Sequence, residues 1–134
     1  TGTPFFTYET EDKVVGGEQT SRWTKPTLSL FNESMYSDGH CYASGYTDLN
    51  IGTTIGMPVP GTCSFAGWEG LADGTYWGVV PVSAKNKAGE WMENNQTEPD
   101  IIVKNMPGVI SEGRDQQLEK GIEILLDQVT PKEK

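Results

Sequence analysis

The chain is 134 residues long and carries 19 Asp and Glu against 10 Lys and Arg, a formal charge of −9. That length supports one domain with one modest core, and 16 Gly and 8 Pro break up long regular elements, excluding a coiled coil or an all-helical bundle. The acidic balance, without any cluster of basic residues, excludes a nucleic-acid scaffold, and the longest apolar run falls far short of the ~20 residues that a membrane-spanning helix needs.

Residues 1–24 are polar, glycine-rich and dotted with aromatics (Phe5, Phe6, Tyr8, Trp23), which predicts an irregular arm or linker holding one short strand if any. Within it the acidic Glu9–Asp12 stretch reads as a solvated loop, and so does Val14-Val15-Gly16-Gly17-Glu18. Thr27–Phe31, bounded by Pro26 and the turn residues Asn32-Glu33-Ser34, predicts a strand. From Asp38 to Leu49 the positions Cys41, Ala43, Gly45, Tyr46 and Leu49 adopt a weak three-to-four spacing, and Ser37 or Asp38 supplies an N-cap, so a short helix follows the turn. Asn50-Ile51-Gly52 closes that helix, and Thr53–Gly56 is a second short strand.

After the rigid link Met57-Pro58-Val59-Pro60-Gly61, Thr62–Glu69 and Thr75–Ser83 predict a hairpin turned at Ala72-Asp73-Gly74. Alternation along it assigns Trp68 and Trp77, with Trp91, to packing in a core or groove. Ile101–Val103 is a short apolar strand after Glu98-Pro99-Asp100. Leu118, Ile122, Leu125, Leu126 and Val129 line one face of a helix capped by Asp115 and ended by Pro131 and the charged tail 131–134. The sum is a mixed α/β domain with a β-hairpin and two main helices.

Two cysteines, Cys41 and Cys63, permit one disulfide, but sequence does not fix the distance that pairing requires. With a single His they do not make a zinc set, so no metal is expected. The chemically suggestive segment is Tyr36-Ser37-Asp38-Gly39-His40, at a junction where a strand turns into a helix. Such a junction exposes a nucleophile, and the first helical amides, which lack internal partners, face a developing oxyanion. Ser37 would be the nucleophile, the Asp38 amide an oxyanion donor, and Gly39 a gap that lets substrate backbone approach. His40 has two readings: a partner to Ser37 on the same helical face, or a first-turn residue that lines the cleft. There is no Gly-x-Ser-x-Gly elbow, Ser-x-x-Lys, P-loop or dinucleotide fingerprint. The sequons Asn32-Glu33-Ser34 and Asn95-Gln96-Thr97 read as coincidental.

Lys25-Pro26-Thr27-Leu28-Ser29-Leu30-Phe31-Asn32-Glu33 with Tyr36-Ser37-Asp38-Gly39, then Leu49-Asn50-Ile51-Gly52 and Ile55-Gly56, resembles the nucleophile half of tricorn-type serine peptidases, relatives of the C-terminal-processing peptidases. The pattern resumes at Glu93-Asn94-Asn95, Glu98-Pro99-Asp100-Ile101 and Gly113-Arg114-Asp115-Gln116-Gln117-Leu118-Glu119, so that it covers residues 20–130 in order. The resemblance implies a crotonase/ClpP-like fold fragment over 25–130, with Ser37 as nucleophile, Asp38 as backbone oxyanion donor and Glu93 as the carboxylate of a Ser-His-Ser-Glu tetrad. Gly39 and His40 then border the substrate. It implies no cofactor, a peptide or protein substrate, and an acyl-enzyme. The C-terminal-processing branch uses a Lys where this chain has Met57–Ser64, which contains none, so a Ser/Lys mechanism is disfavoured.

The family's general-base His and its second oxyanion donor lie earlier in the polypeptide, and neither has a counterpart here. The expectation is therefore a part of a longer protein, consistent with a sequence that opens on Thr1-Gly2-Thr3, lacking an N-terminal catalytic segment and inactive in isolation. Uncovered apolar surface and an open sheet edge would then favour a homo-oligomer. An extracytoplasmic or periplasmic location is expected, with the cytoplasm as alternative. The competing reading of the whole is a non-catalytic peptide-binding or scaffold module with a peptidase-like fold.

Overall fold

The computed structural model describes residues 7–17 and 25–130. The core is built on three short parallel strands in the order β3 (Leu28–Phe31), β4 (Thr53–Gly56), β7 (Ile101–Ile102). Leu28 pairs with Thr53 and Phe31 with Gly56, while Ile55 and Gly56 pair with Ile101 and Ile102. Parallel strands need a crossover, and α1 (Asp38–Asp48) supplies it between β3 and β4. Alternation along β3 divides the two faces. Phe31 joins Ala43 of α1 and Val59 in the fully buried core, and Ser29 Oγ lies 2.9 Å from the Tyr42 hydroxyl of α1. Leu28 and Leu30 point the other way, toward α2 (Gln116–Val129), which approaches closely because its residue 121 is glycine: a Cβ there would stand 3.3 Å from Leu28 Cδ1.

Two polar devices fix the strand ends. The Asp100 carboxylate accepts from both the backbone N–H and the hydroxyl of fully buried Thr54, at 2.8 Å each, tying the start of β7 to β4. At the exit of β4, Gly56 takes φ +134°, and a Cβ there would lie 1.9 Å from the Phe31 carbonyl, so only glycine lets the chain turn away. The Met57 amide then donates to that carbonyl at 3.0 Å.

β5 (Ser64–Gly70) and β6 (Tyr76–Ser83) form the expected antiparallel hairpin, turned through Gly74 at φ 87° with the Asp73 side chain accepting from the Thr75 amide. The tryptophans expected in a core or groove are not there: Trp68, Trp77 and Trp91 are 71%, 51% and 58% exposed. Alternation correctly forecast strands but not burial, because the hairpin projects with both faces open. Trp91 instead carries the Lys85 ammonium 4.5 Å from its ring centroid.

The arm also differs from expectation. Over 7–17 it is a second hairpin, β1 (Thr7–Glu9) against β2 (Val14–Gly17), so the Val-Val-Gly-Gly run expected as loop is a strand. The acidic stretch forms its tip, closed by the Thr10 amide donating to the Lys13 carbonyl at 2.8 Å. The rest of the expected arm, 1–6 and 18–24, and the tail 131–134 lie outside the described residues.

At α2 the expected cap is present: Asp115 Oδ1 accepts from the amides of Gln117 and Leu118, and its hydrogen bonds, that from Asn105 foremost, hold its carboxyl below the usual carboxylate range. The side of α2 buried in this chain is nevertheless the Gln117–Gly121 side, with Gln117 donating to the Val103 carbonyl at 2.9 Å. Leu118, Ile122, Leu126 and Val129 of the apolar stripe stay about half exposed. Among the described residues no helix is long and apolar enough to cross a membrane.

Candidate active site

A serine before a helix ordinarily uses its hydroxyl to cap the first free amides, with its own backbone extended. Ser37 does neither. It stands at the N-cap of α1 with φ 53° and ψ −113°, and its side chain makes no capping hydrogen bond. A left-handed φ on a non-glycine residue costs roughly 1–3 kcal/mol and persists only where the surroundings enforce it. The result is a half-buried hydroxyl released from structural duty at the positive end of a helix. Among the described residues nothing accepts the Asp38 N–H, the next amide along, whereas those of Gly39 and His40 donate to the carbonyls of Tyr36 and Ser37.

What enforces Ser37 is the connection between β4 and β5. The Ser37 amide donates to Thr62 Oγ1 at 3.0 Å. The amides of Thr62 and Cys63 both donate to His40 Nδ1, at 3.1 and 3.0 Å. Cys63 is joined to Cys41 of α1 by a disulfide, with Cα atoms 5.0 Å apart. The same turn of helix that follows Ser37 is thus bound to the connection by one covalent bond and two hydrogen bonds.

The geometry rules out the reading of His40 as a base for Ser37. The ring is 1% exposed, its Nδ1 is taken by two amides, and its Nε2 lies 3.1 Å from Thr97 Oγ1. Two N–H donors on Nδ1 require the neutral ring with its proton on Nε2. His40 therefore has no lone pair free for the Ser37 proton: helical spacing placed it near the serine, but its ring is held by the amides of Thr62 and Cys63 and the hydroxyl of Thr97, all far away in sequence. At Gly39 an added Cβ would meet Met35 Cβ at 3.2 Å, so the position packs closely on that side chain.

Burial pushes the His40 pKa below its ordinary 6.5, against the opposing pull of the Asn95 carbonyl and the Glu93 carboxylate. A base that is harder to protonate folded than unfolded leaves stability intact above the unfolded pKa and removes it as pH falls toward the folded pKa. Denaturant midpoints are expected to be flat above pH 7 and to decline as pH drops below 6.5. A His40→Gln variant, less stable throughout, is expected to lose that decline; a profile unchanged by the substitution would contradict it.

Glu93, half-buried on the loop after Trp91, accepts a hydrogen bond from Ser64 Oγ at 2.5 Å. That loop is clasped to the same connection, the Asn94 amide donating to the Gly61 carbonyl at 2.9 Å. The connection from Pro60 to Ser64 therefore touches both chemically relevant residues, Ser37 through Thr62 and Glu93 through Ser64. Neither Thr62 nor Ser64 was singled out from sequence, where an isolated hydroxyl residue carries no motif. A polar pocket of about 300 Å³ between α1 and the 86–98 loop is lined by His40 and bordered by Asp48, Glu90 and Glu98, and does not include Ser37 in its lining.

Closing a loop with a sequence separation of 22, the disulfide restricts the unfolded chain, which corresponds to about 3 kcal/mol in the chain-entropy treatment. Replacing both cysteines by serine is expected to lower the urea-unfolding free energy by about that amount, with the slope of the transition as control for a changed unfolded state.

A profile described as peptidase family S41 matches residues 5–103. The tricorn protease of Thermoplasma volcanium is 29% identical over 103 residues, 75% of this chain and 10% of that protein. Among solved structures, the tricorn protease resembles the chain with a TM-score of 0.71 at 23% identity, over 77% of this chain and 10% of its own. Mature CPAF does so with a TM-score of 0.69 at 19% identity, over 88% and 24% respectively. These structures share the fold, and the chain spans about a tenth of the length of the tricorn proteases it matches.

Proposed function

The chain belongs to peptidase family S41, and from that premise we propose that it is the nucleophile-bearing part of a serine endopeptidase of tricorn type. The observation that carries this reading is the backbone of Ser37, left-handed at a helix N-terminus with its hydroxyl withheld from capping. A structural cap has no need of that strain.

In the proposed reaction Ser37 Oγ attacks the scissile carbonyl of an extended peptide. The carbonyl oxygen gains charge beside the free Asp38 amide, and the Ser37 proton passes to a histidine base and then to the departing amine. Water hydrolyses the resulting acyl-enzyme through the same base. Glu93 serves as the carboxylate that stabilises the base system once it is protonated. The base itself comes from the rest of the polypeptide, since His40 is held by Thr62, Cys63 and Thr97. The chain alone is accordingly inactive.

Two further proposals accompany this reading. The half-exposed stripe Leu118, Ile122, Leu126 and Val129 is apolar surface that the remainder of the catalytic domain covers, and left bare it drives self-association of the isolated chain. The disulfide favours an oxidising, extracytoplasmic setting.

The test compares peptide hydrolysis by the 134-residue chain with that by a longer polypeptide carrying the upstream segment. Activity only in the longer form is the expected result. Peptide binding without turnover in both would favour a scaffold module instead.

A further inference from the structure

We propose that Thr62 is a positioning residue for Ser37, its hydroxyl holding the nucleophile's backbone in the reactive conformation and, by occupying the Ser37 amide, leaving the Asp38 amide as the donor open to the oxyanion. The proposal rests on the catalytic reading of Ser37 and deepens it. As the N-cap residue of α1, Ser37 has no helical carbonyl before it to receive its N–H, and Thr62 Oγ1 accepts it at 3.0 Å. The hydroxyl is oriented for that task, because its own proton is directed to the Pro60 carbonyl at 3.3 Å, which leaves lone pairs toward Ser37.

Thr62 is itself fixed on every side. Its amide is bound to His40 Nδ1, the next residue is tied covalently to Cys41, and the preceding Gly61 carbonyl holds the Asn94 amide. A β-branched side chain adds a stiff χ1 to this arrangement. Ser37 and Thr62 stand 25 residues apart in sequence, so the contact is a tertiary one that local helix geometry does not supply. Removing the acceptor leaves a half-buried amide without a partner and frees the Tyr36–Ser37 peptide plane to rotate, which displaces Oγ.

Two substitutions isolate the hydroxyl. Thr62→Val keeps the shape and loses the acceptor, and Thr62→Ser keeps the acceptor. In the full-length peptidase that carries this chain, the rate of Ser37 modification by a fluorophosphonate is expected to fall on the order of tenfold to a hundredfold in Thr62→Val. With a peptide substrate the loss is expected in kcat with KM little changed, and Thr62→Ser is expected to restore a near-native rate. Hydrogen exchange at the Ser37 amide of the unsubstituted protein is expected to be strongly slowed, a readout that holds even should Thr62→Val not fold. Native reactivity in Thr62→Val, no rescue by Thr62→Ser, or free exchange at the Ser37 amide overturns the proposal. Failure of the unsubstituted enzyme to label at Ser37 defeats the catalytic reading itself, a distinct outcome from labelling that is indifferent to Thr62.

Discussion

Ser37→Ala in the full-length peptidase is expected to reduce kcat by on the order of 10⁴-fold or more, with folding unchanged. The structure explains why the substitution is so selective. The side chain makes no capping bond, so stability does not depend on its oxygen, and the contact that holds its backbone, amide to Thr62 Oγ1, survives truncation to alanine. An ordinary N-cap serine behaves oppositely, losing about 1 kcal/mol of stability on conversion to alanine without any catalytic effect. Thermal unfolding and peptide turnover measured on the same preparation therefore separate a nucleophile from a cap. Glu93→Gln keeps a group able to accept from Ser64 Oγ but loses the charge, so a smaller loss, on the order of 10²-fold, is expected.

A large structural effect is expected at Gly61, where the connection carrying Thr62 lies backbone to backbone on the loop carrying Glu93. A Cβ at Gly61 would stand 2.3 Å from the Asn95 nitrogen and 2.8 Å from the Asn94 carbonyl carbon. No rotamer change relieves a clash between main chains, so the two segments must part, breaking the hydrogen bond from the Asn94 amide to the Gly61 carbonyl and drawing Glu93 from Ser64. Gly61→Ala is expected to destabilise the fold by about 3 kcal/mol or more, measured by urea unfolding. Gly45→Ala is the matched control. That position lies within α1 with nothing within 4 Å of the added Cβ, so helix propensity predicts a gain of roughly 0.5–1 kcal/mol. Similar small effects at both sites would show that the 61–95 approach does not hold the site together.

The elements that could be read from sequence are those whose information is local. Helix α2 announced itself through its periodicity and Asp115, and the hairpin through Asp73-Gly74, and both stand where expected. Ser37 was singled out chiefly because its flanking residues resemble a family, for a serine at a strand-to-helix junction is by itself a weak signal. What sequence could not disclose depends on partners distant along the chain. His40 is three residues from Ser37, yet its ring is claimed by Thr62, Cys63 and Thr97. The cysteine pairing was open until Cys41 and Cys63 came together across the same junction. The exposed tryptophans illustrate a further limit: alternation identifies a strand, but whether a face is buried depends on what packs against it. Over 7–17 the glycines suggested a loop, and pairing with β1 made a strand of them.

The reactivity of Ser37 is the quantity on which the account depends most directly. The full-length peptidase, incubated with a fluorophosphonate and digested for mass spectrometry, is expected to carry the phosphonyl group on Ser37 alone, stoichiometrically, with labelling abolished by prior heat unfolding. The 134-residue chain by itself is expected to remain unlabelled, because among the described residues no base reaches the serine. Absence of label on Ser37 in the full-length enzyme while it cleaves peptide, or label carried by another serine, would contradict the assignment of Ser37 as nucleophile.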